Sequence, residues 1–181
     1  MSFVKSILTI FAITTIFSSC GQTKKEKVKI DIETILKIED ETAAITELDS
    51  MLSIISNHGQ EIDRLTESQK IVLIVENLER EINNGGFNQF FFNSGGQFAH
   101  ETITALRTIK AFKTADIVSK SISAWPNQKV PKDWSERQEL VDEISDQADI
   151  VWNECDKEFY KYQDNIVKLL LDYVKSNKSD F

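Results

Sequence analysis

Two prolines, Pro126 and Pro131, and six glycines are all that interrupt 181 residues. Folds built from many short strands need such breakers at every turn, so long runs without them favour helices. Between the breakers, apolar residues recur at helical spacing. Ala44, Leu48, Met51, Leu52 and Ile55 make one stripe, ending near His58 and Gly59. Thr66 and Gln69 have the spacing of a capping box, and Ile71, Val75, Leu78 and Ile82 follow along one face. Asn83 to Gly86 end that helix. A short aromatic segment, Phe87 to Phe92, is closed by Ser94-Gly95-Gly96. Glu101 to Ala111 reads as a helix turned inward through Ile103, Leu106 and Ile109. Another begins near Thr114, carries Ile117, Val118, Ile122 and Trp125, and stops at Pro126. A long helix presents Leu140, Ile144, Ala148, Val151, Cys155 and Phe159, and a last one Ile166, Leu169, Leu170, Tyr173 and Val174. No segment alternates with the period of a strand. The expected fold is all-α, a single compact multi-helix domain with short inter-helix turns, in a chain long enough to bury a core.

The N-terminus reads as an export signal. Lys5 supplies a positive flank, Ile7 to Phe17 an apolar run, and Ser18 and Ser19 lead to Cys20. That run is too short to span a bilayer, which takes about 20 apolar residues. Phe-Ser-Ser-Cys-Gly resembles a lipobox, where the cysteine is acylated and the signal removed, with Phe17 in place of the usual Leu. An ordinary signal peptide and an uncleaved anchor are the alternatives. Residues 1–19 are therefore assigned to a lipoprotein-type signal, 20–38 to a polar tether and 39–178 to an acidic helical domain. Lipid on Cys20 would hold the chain to a bacterial membrane, facing the periplasm or exterior. It would also leave Cys155 without a partner. On its apolar stripe Cys155 is expected to be a small buried hydrophobe.

The charge of −8 is unevenly spread. Asp31 to Glu81 holds 13 acidic and 4 basic residues, a net −9. Ile82 to Lys132 holds 2 acidic and 6 basic, a net +4, and Asp133 to Asp164 holds 11 acidic and 3 basic, a net −8. Such a chain is ill suited to bind nucleic acid directly, and a basic protein partner suits it better. Glu136, Glu139, Glu143 and Asp146 recur three or four apart opposite Leu140 and Ile144, and Asp142 and Asp149 extend the row. Like charges at that spacing disfavour a helix slightly. The row is either a solvated face or the surface that meets a basic partner.

Little in the sequence points to catalysis. His58 and His100 stand in unrelated contexts. Glu76 and Glu79 share a helix face, but no Glu-x-x-His motif accompanies them, as a di-iron bundle requires. Neither glycine pair, 85–86 or 95–96, follows an expected strand, so helix termination explains them better than a phosphate cradle. The reading is a protein that is not an enzyme, with no cofactor and no metal site.

One stretch, Glu76 to Pro126, is more particular. Asn84-Gly85-Gly86-Phe87, Gln89-Phe90-Phe91, Asn93 to Gly96, Ala105-Leu106 and Trp125-Pro126 succeed one another, with Asp156, Phe159, Tyr160 and Tyr173 later. This pattern, over roughly residues 70 to 175, resembles the shared core of a bacterial family of otherwise unassigned function whose named member is a DNA-mimic protein. Lys110 departs from it, standing where the family more often has Gly. The resemblance implies an all-helical, non-enzymatic protein, a homodimer, that displays carboxylates in place of DNA phosphates. The motif itself is not acidic and reads as structural. Its glycines turn the chain, Asn83, Asn84 and Gln89 satisfy backbone groups, and its phenylalanines fill the core.

Two functional expectations follow. The first is an acidic binding protein that engages a basic protein, with DNA mimicry as the family's precedent. The alternative is a membrane-anchored envelope lipoprotein with a structural or toxin-immunity role, because an exported protein does not meet cytoplasmic transcription factors.

Overall fold

The structure, a computed structural model, describes residues 29–181. The signal and residues 20–28 of the tether, Cys20 among them, lie outside the described residues. Seven α-helices and no strand occur among them: α1 (Ile32–Ile35), α2 (Glu41–Ile55), α3 (Glu67–Phe92), α4 (Ala99–Thr108), α5 (Phe112–Ile122), α6 (Trp134–Phe159) and α7 (Ile166–Ser176). The fold is all-α. None of these helices is long and apolar enough to cross a membrane.

Four of the helices, α2, α3, α6 and α7, start where a side chain accepts one of their first free N–H groups. Asp40 caps α2 through Ala43 N–H, Asp133 caps α6 through Glu136 N–H, and Asn165 caps α7 through Lys168 N–H. The Thr66–Gln69 capping box of α3 forms in both directions. α3 is the hub and packs against α2, α4 and α6, while α5 bridges α4 and α6 and α7 lies against α2. The centre of the core is aromatic. Phe91 has its ring centroid 5.2 Å from those of Phe90, Trp125 and Trp152, and Phe87 packs edge-on against Phe90 and Phe159.

Three expectations need correction. Residues 30–38, assigned to the tether, fold onto the domain: Ile30, Ile32 and Ile35 are buried, and Phe181, beyond the assigned boundary at 178, is buried too. Their apolar side chains outweigh the polar character of the flanking sequence. Met51 does not join its stripe and stands partly exposed, while Ile45 takes the inward place beside Ala44, Leu48 and Leu52. On α6 the buried line is Arg137, Val141, Ala148, Trp152, Cys155 and Phe159, whereas Leu140 and Ile144 are only half-buried. The inward face is turned by about one residue because Arg137 and Trp152 both find backbone acceptors inside the protein.

Candidate functional site

Three arrangements stand out: the glycine–aromatic corner, the outer face of α6, and a carboxylate cluster between α2 and α3.

At the corner, α3 breaks. Gly85 and Gly86 leave helical geometry, and Gly86 takes φ +73°, a conformation open to glycine at little cost. A β-carbon on Gly86 would collide with the Asp156 carboxylate. That carboxylate accepts the Phe87 N–H at 2.8 Å and so caps the segment beginning at the break. Gln89 and Asn93 each donate a side-chain N–H to Glu81 Oε2, both at 2.8 Å. Tyr160 O–H donates to the Ile82 carbonyl, and Tyr162 O–H to Asn83 Oδ1, each at 2.7 Å. Phe87, Phe90 and Phe91 are buried and Phe92 is partly exposed. The expected backbone role of the amides is corrected: Asn83 and Gln89 bond to side chains, and Asn84 is exposed without a side-chain hydrogen bond among the described residues. The peptide at the break is served by Asp156 instead.

Arg137 locks the corner from the other side. Fully buried, it donates from Nε to the Phe91 carbonyl at 2.8 Å and from Nη2 to the Asn93 carbonyl at 2.9 Å. Its Nη1 serves the Pro131 and Lys132 carbonyls, both at 3.0 Å. Its donors go to carbonyls rather than to a carboxylate, and burial lowers its proton affinity, opposed by Asp133. A β-carbon on Gly96 would meet both this guanidinium and the Phe91 carbonyl, so the small residue is required.

The acidic row lies on α6. Glu136, Glu139, Asp142, Glu143 and Asp146 are exposed on the side away from Val141 and Trp152. Asp149 is half-buried and accepts the Asn88 side-chain N–H at 3.2 Å, so it is partly committed within the domain. Farther along, Glu154 pairs with Lys120 at 2.9 Å. Cys155, turned inward, is buried, and desolvation pushes its thiol up to about 11, as an inert core residue requires.

The third arrangement was only half visible in sequence. Asp49, buried on α2, takes the Arg80 guanidinium on Oδ2 at 2.6 Å. Burial nevertheless outweighs that cation and raises the Asp49 carboxyl. Burial, then the neighbouring charges of Glu79 and Asp49, push Glu76 up to about 8 against the opposing pull of Arg80. Burial alone lifts Glu79 to about 7. The Glu76–Glu79 pair shares a helix face in any reading, but Asp49 is 27 residues from Glu76 and no local signal joins them. No group of three or more His, Cys, Asp or Glu side chains among the described residues is placed to hold a metal ion.

Lys110 holds φ +69° just after α4. Ala111 N–H bonds back to the Leu106 carbonyl across it, the closure typical of a left-handed helix end that glycine normally fills. A side chain there costs about 1–2 kcal/mol, partly recovered because lysine restricts the unfolded chain. Lys110→Gly is therefore expected to stabilise the domain by about 0.5–1 kcal/mol, read as a higher urea midpoint at unchanged slope. A lower midpoint would count against the left-handed end.

No curated protein and no solved structure matches the chain. A family model described as DMP19-like protein matches residues 63–177, from just before α3 to the end of α7, and leaves α1 and α2 outside the matched segment. The glycine–aromatic corner, its Asp156 cap and the acidic helix all fall within it, and the chain belongs to the DMP19-like protein family.

Proposed function

We propose that this chain is a non-enzymatic acidic binding protein whose α6 outer face engages a basic protein partner as a DNA mimic does. The spacing of that face carries the reading. Glu136 to Asp149 places six carboxylates along one helix, and at about 1.5 Å rise per residue they span roughly 20 Å. That is about one negative charge per 4 Å, close to the ~3.4 Å axial spacing of phosphates along one DNA strand. A protein surface built to neutralise phosphates meets a comparable charge density here. The glycine–aromatic corner contributes by holding α6, not by contact.

The lipobox-like string at Cys20 favours a second reading, an envelope lipoprotein of structural or toxin-immunity type. One experiment separates the two. The chain is used as bait on envelope and cytosolic fractions, beside a variant in which Glu136, Glu139 and Glu143 become Gln and Asp146 becomes Asn. The variant should fold as well as the wild type or slightly better, since like charges at i,i+3 and i,i+4 are removed. Wild-type bait should retain a basic protein, the variant should lose it, and added salt should weaken capture because exposed charges are screened beyond about 8–10 Å. Capture indifferent to both charge removal and salt would remove acidic-face recognition for that partner. A Cys20→Ser chain in the same fractionation reads the compartment: loss from the membrane fraction supports lipid anchoring, and unchanged membrane association sinks it.

A further inference from the structure

Helix α2 joins the family core across a contact with too many carboxylates. Asp49, on α2, pairs with the Arg80 guanidinium, whose own side chain is half exposed, and the charges of Asp49, Glu79 and Arg80 all bear on the buried Glu76 carboxyl. Arg80 occupies Asp49 Oδ2, but Asp49 Oδ1 is buried with no hydrogen-bond partner, and so is Glu76 Oε1. Two ionised carboxylates offer only acceptors, so neither orphaned oxygen can satisfy the other. A single proton turns one of them into a donor. The charged groups bearing on Glu76 are Glu79 and Arg80 from α3 itself and Asp49 from α2, with none from α4, α6 or α7 among the described residues.

We propose that α2 is a proton-operated latch on the DMP19-like core: a proton held at Glu76 and directed toward Asp49 keeps α2 seated on α3, and its loss loosens that helix. The buried side chains of Ala44, Ile45, Leu48 and Leu52 keep the seated state dominant throughout. What the proton controls is how often α2 opens. The sign follows from linkage. Seated, Glu76 keeps its proton up to about 8; opened into water, it would release it near the ordinary carboxylate value of about 4.3. The seated form therefore binds more protons across the interval between, and opening grows easier as pH rises through it, then levels off. Because α1 and α2 precede the family-matched segment while Glu76 and Arg80 lie within it, the latch joins this chain's N-terminal part to its family core, and it does not depend on the acidic-face reading.

Hydrogen exchange of the wild-type chain from pH 6 to 8.5, with the intrinsic chemical rates divided out, tests it. Protection of α2 should fall at least about tenfold, as each pH unit lost to a titrating group is a factor of ten in its opening constant, while α4 and α5 stay unchanged. Glu76→Gln, which imitates the protonated side chain, should flatten the α2 profile. Constant α2 protection in the wild type would overturn the proposal, as would a parallel loss in α4 and α5, which signals global destabilisation. So would a pH dependence that survives in the Glu76→Gln, Glu79→Gln double variant. If the Gln variants do not fold, carboxyl-carbon titration of wild-type Glu76 decides: a midpoint above neutrality supports the latch and one below about 5.5 removes it.

Discussion

Phe91→Ala is expected to lower the unfolding free energy by about 3–5 kcal/mol, the usual cost of deleting a buried ring whose surroundings do not collapse. Phe91 is fully buried, with Phe90, Trp125 and Trp152 around it. Each of these three is itself a large flat side chain buried in the core, so the vacated space is hard to refill. Against a total stability of roughly 5–15 kcal/mol, the loss should be plain in urea or thermal unfolding followed by circular dichroism. Phe92→Ala, one residue along and partly exposed, should cost much less. Equal and small losses at both positions would mean that the aromatic segment is not the core.

The second large effect is expected at Arg137. Arg137→Met keeps much of the side-chain volume and removes every donor. The carbonyls of Phe91, Asn93, Pro131 and Lys132 then lose a partner, the first in a buried place and the others in partly buried ones. An unsatisfied buried polar group costs about 1–3 kcal/mol, and with several affected a loss of about 3–5 kcal/mol is expected, less the relief of no longer burying a cation. Arg137→Lys should recover only part, since one ammonium does not reproduce the planar fork. Should Arg137→Met melt within about 0.5 kcal/mol of wild type, the scatter expected of surface changes, the carbonyl cradle would not be contributing.

These two residues show how unevenly the fold was legible. The all-helical class, the Thr66–Gln69 start of α3 and the break after Asn84 are local properties, set by propensity, capping and glycine within a few residues, and they read directly. The importance of Phe91 was legible for the same reason, because consecutive phenylalanines have few places to go but inward. Arg137 was not. In sequence it is one charge among many on an acidic helix, and only its meeting with carbonyls 44 and 46 residues away makes it an interior residue. That meeting also turns the buried line of α6 toward Val141 and away from Leu140. The same limit hid Asp49, whose neighbours come from α3, and the docking of Ile30, Ile32 and Ile35, which depends on a surface made by distant helices. The acidic row was legible as a row, because the spacing of Glu136, Glu139, Glu143 and Asp146 is itself local.

Arg137 follows Glu136 directly, so the residue that clamps the interior of α6 is adjacent to the first carboxylate of its outer row. Trp152, whose indole N–H donates to the Ser121 carbonyl at 3.0 Å, and Tyr160 hold the same helix farther along. The helix bearing the charges is thus fastened on its reverse side at both ends, before any partner arrives. Binding that needs no folding or reorientation of the helix forfeits little backbone entropy. Recognition at this face should then approach rigid-body docking, with the encounter rate governed by long-range electrostatic attraction and strongly slowed by salt.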